Sequence, residues 1–181
     1  MKLTNQELID DLAERTIANV MAAEELKNLP IEILNQKSSS ESWSALECIE
    51  HLNRYGDFYL KEIKKQFLTA AQVPATTEFK SGLIGNYFAK SLQAKEKLNK
   101  MKTVKNMNPN GSDLTIGVID TFIAQQKEML EILDRSLTIS LKKNKTSISI
   151  SSVLKLRLGD TLRIVIYHNQ RHLAQAKKAV L

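Results

Sequence analysis

Residues 159–178 run GDTLRIVIYHNQRHLAQAKK, with apolar side chains recurring every three or four positions. That period predicts an amphipathic helix whose stripe Leu162, Ile166, Leu173, Ala176 and Val180 faces a core. Asp160 at its start and Lys177-Lys178 at its end suit the positive and negative poles of the helix dipole. A second stripe, Thr161, Val165, His168, His172 and Gln175, sets two histidines one turn apart at the edge of the apolar face. A helix with one apolar stripe must bury it against other elements.

Upstream, three more long helical patterns supply them. One runs from Ser112 or Asp113 to Ser136, with Ile116, Ile119, Phe122, Ile123, Met129, Leu130 and Leu133 on its apolar face. Another opens at Trp43-Ser44-Ala45-Leu46-Glu47, where Ser44 and Glu47 form a capping box. It carries Cys48, His51, Tyr55, Phe58 and Glu62 on one stripe, beside Ile49, Leu52, Leu60 and Ile63, and fades near Ala70 to Pro74. The first begins at the capping box Thr4-x-x-Glu7 and brings Leu8, Leu12, Val20 and Leu26 toward Pro30. Asn35 to Ser42 reads as a polar connection.

Two stretches are hard to read. Residues 75–111 contain Gly82, Gly85, Pro109 and Gly111, with a short helix expected around Tyr87 to Lys100. Thr138 to Ser152 is rich in serine and lysine; Ile148 and Ile150 alternate with serines as in an edge strand, but the expectation is a loop. The pattern predicts an all-α fold: one four-helix bundle domain over residues 1–181, with a long crossover between helices 2 and 3.

The chain has 181 residues, 43% hydrophobic and 25% charged, the composition of a globular domain. No apolar run approaches membrane length and residues 1–6 lack a signal-peptide core, so the expected location is the cytoplasm and no membrane partner is indicated. Cys48, the sole cysteine, leaves no intramolecular disulfide. The net charge of +6 raises nucleic acid as a partner, but the lysines are dispersed, and neither a helix-turn-helix nor an aromatic RNA-binding signature accompanies them.

The three histidines of the chain are His51, His168 and His172. If the fold lays His51 beside the other two, they form a site for zinc, nickel, copper or iron with coordination positions left open, an arrangement more often catalytic than structural. General acid or base candidates are few in the readable stripes; Glu47 and Tyr55, one turn either side of His51, could flank a metal, and both have ordinary structural readings. Cys48 reads as a small buried residue rather than a nucleophile.

The spacings Trp43-Ser44-x-x-Glu47-x-x-x-His51-Leu52 and His168-x-x-Arg171-His172-x-x-Gln175 resemble the DinB-like superfamily, named for a DNA-damage-inducible protein and related to bacterial thiol-dependent S-transferases. The resemblance spans nearly the whole chain. It implies a bundle of DinB-like type in which His51, His168 and His172 ligate a divalent metal, most commonly zinc or nickel, with iron or manganese as further choices. Trp43, Arg171 and Gln175 would support the site. The implied activity is thiol-dependent S-transfer, with a low-molecular-weight thiol as cosubstrate and a small-molecule electrophile as partner. The alternatives are a metal-dependent hydrolase, or a non-catalytic metal-binding or DNA-binding stress protein. Relatives of this type lead to the expectation of a homodimer.

Overall fold

A computed structural model describes residues 2–69, 77–93 and 103–181. The chain starts with strand β1 (Lys2–Thr4) and helix α1 (Asn5–Lys27), followed by the short α2 (Ile31–Asn35) and by α3 (Ala45–Thr69). Next come β2 (Glu78–Lys80), α4 (Leu83–Leu92) and a 3-10 turn at Lys105–Met107. The chain continues with α5 (Gly117–Ser136), β3 (Lys145–Ile148), β4 (Ser151–Arg157) and α6 (Leu158–Ala179).

The structure is mostly helical. Both predicted capping boxes form: Thr4 Oγ1 accepts the Glu7 amide at 3.1 Å while Glu7 Oε2 accepts the Thr4 amide at 2.8 Å. Likewise Ser44 Oγ accepts the Glu47 amide at 3.1 Å and Glu47 Oε2 accepts the Ser44 amide at 2.9 Å. Each box satisfies amides that have no partner inside their helix. The long helices pack in a cycle, α1 against α5 and α6, and α3 against the same two. The apolar stripes therefore meet at the centre. Gly56 lets α3 approach α5 closely: a Cβ there would displace the end of the Gln125 side chain, whose Nε2 donates to the Asn53 carbonyl at 3.1 Å.

Two apolar clusters fill the interior. One contains Leu8, Leu12, Ile63, Phe79, Met129 and Ile166; the other contains Leu46, Ile49, Leu52, Ile119, Phe122 and Leu173. Along α3 the boundary falls between Leu52 and Tyr59, and along α6 between Tyr167 and Leu173. The histidines lie at that boundary.

Three expectations need correction. The stretch 138–152 is not a loop throughout: β3 and β4 form an antiparallel hairpin, Thr146 opposite Leu156, with an irregularity at Ser147/Ile148 that breaks the strand alternation. Leu156 is buried in the core and Val153 points outward. A second antiparallel pair, β1 with β2, sets Leu3 opposite Phe79 and was not anticipated, because three-residue strands carry no period. The helix expected at Tyr87 to Lys100 begins earlier, at Leu83, and ends at Leu92; residues 94–100 of that expectation lie outside the described residues. The α3-to-α5 connection thus carries a strand, a helix and a 3-10 turn. The helix predicted from Ser112 or Asp113 starts at Gly117.

The start of α6 is anchored by a buried pair that reads in the sequence as dipole decoration alone. Asp160 and Arg163 are both fully buried, with Arg163 Nη1 3.3 Å from Asp160 Oδ1. Asp160 also accepts the Gly82 amide at 2.8 Å and the Ser81 hydroxyl, so the chain leading into α4 docks on α6. Gly159 permits the close approach of Phe79: a Cβ there would stand 2.6 Å from the ring.

Candidate metal centre

His51 comes from α3 and His168 and His172 from α6, and packing of these two helices brings all three together. Their ligand nitrogens lie within 4.8 Å of one another, and no carboxylate or thiol among the described residues joins the cluster. Ring centroids are 5.0 Å apart for His51–His168, 4.5 Å for His51–His172 and 4.6 Å for His168–His172.

Hydrogen bonds fix two of the rings. His51 Nδ1 stands 2.7 Å from the Met107 carbonyl oxygen. A carbonyl can only accept, so this nitrogen carries the ring proton and Nε2 presents its lone pair to the other histidines. His172 Nδ1 meets Gln175 Oε1 at 3.0 Å, which orients that ring in the same sense. Histidines that hold metals characteristically donate their second nitrogen to an oxygen in this way.

The third contact tests the fit. His51 Nε2 and His168 Nε2 are 3.3 Å apart. With the His51 proton on Nδ1, the two nitrogens call for a proton or a cation between them. Two imidazole nitrogens each about 2.0–2.1 Å from a tetrahedral zinc stand roughly 3.3–3.4 Å apart. The spacing fits two ligands on one ion, as it fits an N–H···N hydrogen bond from His168 to His51.

Electrostatics favour the ligand form. Burial lowers the His51 pKa to about 4, despite the Met107 hydrogen bond acting in the other direction. Burial and the neighbouring His51 lower His172 to about 3, and burial, then His172 and His51, hold His168 well below its ordinary value. All three imidazoles are therefore neutral near neutral pH, as metal ligation requires.

Aromatic rings flank the cluster on two sides. Trp43 packs against His51 and His172, with centroids 4.7 and 5.8 Å away. Tyr55 packs against His51 and His168 at 4.9 and 4.8 Å. Glu47 sits elsewhere: its oxygens accept the Ser44 amide at 2.9 Å and the Gly111 amide at 2.7 Å, and Lys37 Nζ lies 3.0 Å from Oε2. Cys48 is fully buried and its thiol is pushed up to about 12 by burial, which removes it as a nucleophile. Arg171 lies buried on α6, its pKa lowered by burial. The Met107 carbonyl escapes sequence reading because a backbone acceptor has no residue signature.

A family model of the DinB superfamily matches residues 12–176, a span that includes all three histidines. The chain belongs to the DinB superfamily. The chain is also similar to the uncharacterized protein YuaE of Bacillus subtilis (strain 168), with 27% identity over 161 residues covering 85% of this chain and 87% of YuaE. No solved structure is a significant match. The superfamily has metal-binding members, and this DinB chain presents a histidine triad in which a metal could sit. No helix among its described residues is long and apolar enough to cross a membrane.

Proposed function

We propose that His51, His168 and His172 hold a divalent metal ion, zinc or nickel first, and that the chain is a thiol-dependent S-transferase joining a low-molecular-weight thiol to an electrophile. The observation that carries this reading is the convergence of three neutral imidazoles within 4.8 Å, with the Nδ1 positions of His51 and His172 on oxygen partners. A divalent ion held by three neutral ligands keeps its full charge and favours the deprotonated form of a thiol or water at its open positions. The same reading takes the cycle of α1, α3, α5 and α6 as a four-helix bundle of DinB type, with residues 70–116 as the crossover.

The residues of this chain divide the remaining work. Met107 and Gln175 hold the rings of His51 and His172 in orientation. Trp43 covers the His51–His172 edge and limits water there. Tyr55 borders the His51–His168 edge and stands where a substrate would enter. Glu47 serves the fold, since both its oxygens hold backbone amides.

Elemental analysis of the purified chain and of its His168→Ala and His172→Ala variants tests the site. The expected result is one metal per chain in the parent and loss in both variants; stoichiometric metal in both variants overturns it. Turnover of an electrophilic probe that depends on both metal and added thiol supports the transferase, whereas metal-dependent turnover without thiol replaces it with a hydrolase.

A further inference from the structure

Beside the triad lies a narrow cavity of about 130 Å³, and His168 is the histidine that lines it. Its wall comes from four elements: Tyr55 of α3, Phe88 of α4, Ile148 and Leu156 of the hairpin, and Val165 of α6. None of the residues lining it is a lysine, arginine, aspartate or glutamate. Apart from His168, polar groups gather at one place: the Tyr59 hydroxyl lies 3.3 Å from Ser149 Oγ and accepts the Ser149 amide at 3.4 Å.

These features select the chemistry of an occupant. A cavity of about 150 Å³ lined by aliphatic and aromatic side chains takes up benzene. An anion seated among these side chains would lose its hydration and find no lysine or arginine in return, so charge is disfavoured in the part of the cavity away from the histidines. A neutral apolar group retains all of its advantage from burial and leaves hydroxyl-sized polarity for Tyr59 and Ser149. The cavity meets the triad on the Tyr55 side, while Trp43 packs against the His51–His172 edge.

We propose that this cavity is the substrate subsite of the metal centre, seating an uncharged aromatic or branched aliphatic group of roughly benzene size. The inference rests on the metal reading above, and it adds the class of electrophile: apolar and neutral in the part seated in this cavity. The hairpin β3–β4, through Ile148, Ile150 and Leu156, then sets how large that group can be.

The test titrates the full chain, zinc-free and zinc-loaded, with 4-fluorophenol and with 4-fluorobenzoate at neutral pH, followed by fluorine NMR and by the methyl resonances of Ile148, Leu156 and Val165. The phenol is expected to bind in both zinc states and to shift those methyls. The benzoate, compared in zinc-free protein, is expected to bind about tenfold or more weakly, a difference of about 1.4 kcal/mol. Ile150→Trp places a larger ring at the mouth from a half-exposed turn position and should weaken the phenol about tenfold as well. Absence of phenol binding, binding that leaves the three methyls unmoved, or equal binding of the benzoate overturns the proposal, and these readings hold even if Ile150→Trp does not fold. Zinc bound stoichiometrically with no phenol uptake defeats the subsite alone; phenol uptake with no zinc binding defeats the metal centre and leaves an apolar pocket that serves no metal.

Discussion

Replacing Glu47 by glutamine separates a structural role from a catalytic one. Glu47 is 3% exposed and accepts from two backbone amides, Ser44 at 2.9 Å and Gly111 at 2.7 Å, on different oxygens. Glutamine keeps one acceptor oxygen and turns an NH2 group toward the other amide, so two donors face each other. One amide loses its partner, which costs about 1–3 kcal/mol in a buried setting. The Lys37 ammonium, 3.0 Å from Oε2, loses its counter-charge at a partly buried position, adding roughly 1 kcal/mol. The sum, about 2–4 kcal/mol, corresponds to a fall of about 5–15 °C in Tm for a chain of this size. Differential scanning calorimetry measures it, and hydrogen exchange at the Gly111 amide should accelerate, because that bond ties residues before α5 to the start of α3. Metal content should stay at the parental level. A variant that melts within a degree or so of the parent yet loses turnover would refute the structural reading and return Glu47 to the acid–base candidates.

Other perturbations probe the frame around the site. Asp160→Asn leaves the buried Arg163 guanidinium without its carboxylate and should cost about 3–5 kcal/mol in urea unfolding; a loss below about 1 kcal/mol would show that Ser81 and Asn86 suffice to hold Arg163. Gly159→Ala puts a methyl 2.6 Å from the Phe79 ring and should destabilise by about 1–3 kcal/mol, with unchanged stability contradicting the close packing of β2 on α6. The Cys48 thiol titrates near 12 when folded against an ordinary 9.0, so the unfolded state ionises first as pH rises. The stability tied to the buried thiol is complete below pH 9 and lost progressively between 9 and 12, by about 1.4 kcal/mol per pH unit. Cys48→Ala should remove that component of the alkaline slope; identical slopes in parent and variant would contradict the burial argument.

Local rules expose most of the helical frame. Thr4-x-x-Glu7 and Ser44-x-x-Glu47 predict capping boxes because each needs only residues three apart, and both form. The apolar stripes on α5 and α6 follow from the 3.6-residue period, and Ile119, Phe122, Met129, Leu162 and Ile166 are buried accordingly. What stays hidden depends on distant partners. β1 and β2 pair Leu3 with Phe79 across the whole of α3, and each strand is too short to show alternation. The hairpin is masked by its irregularity at Ser147/Ile148 and by serines at the turn. Asp160 looks like a helix-dipole residue until Arg163 and the Gly82 amide are seen buried against it.

The candidate centre divides along the same line. His168 and His172 are set by one helix, so their juxtaposition is a consequence of a four-residue spacing. His51 joins them because α3 packs against α6, and its ring is oriented by the hydrogen bond that its Nδ1–H donates to the Met107 carbonyl at 2.7 Å. That carbonyl belongs to the 3-10 turn of a connection whose sequence is the least regular in the chain. The long connection between α3 and α5 therefore has a physical reason to exist beyond joining two helices: it delivers the acceptor that points His51 Nε2 at His168, 3.3 Å away. Without that acceptor the His51 proton could reside on Nε2, where it would block the lone pair that a metal needs.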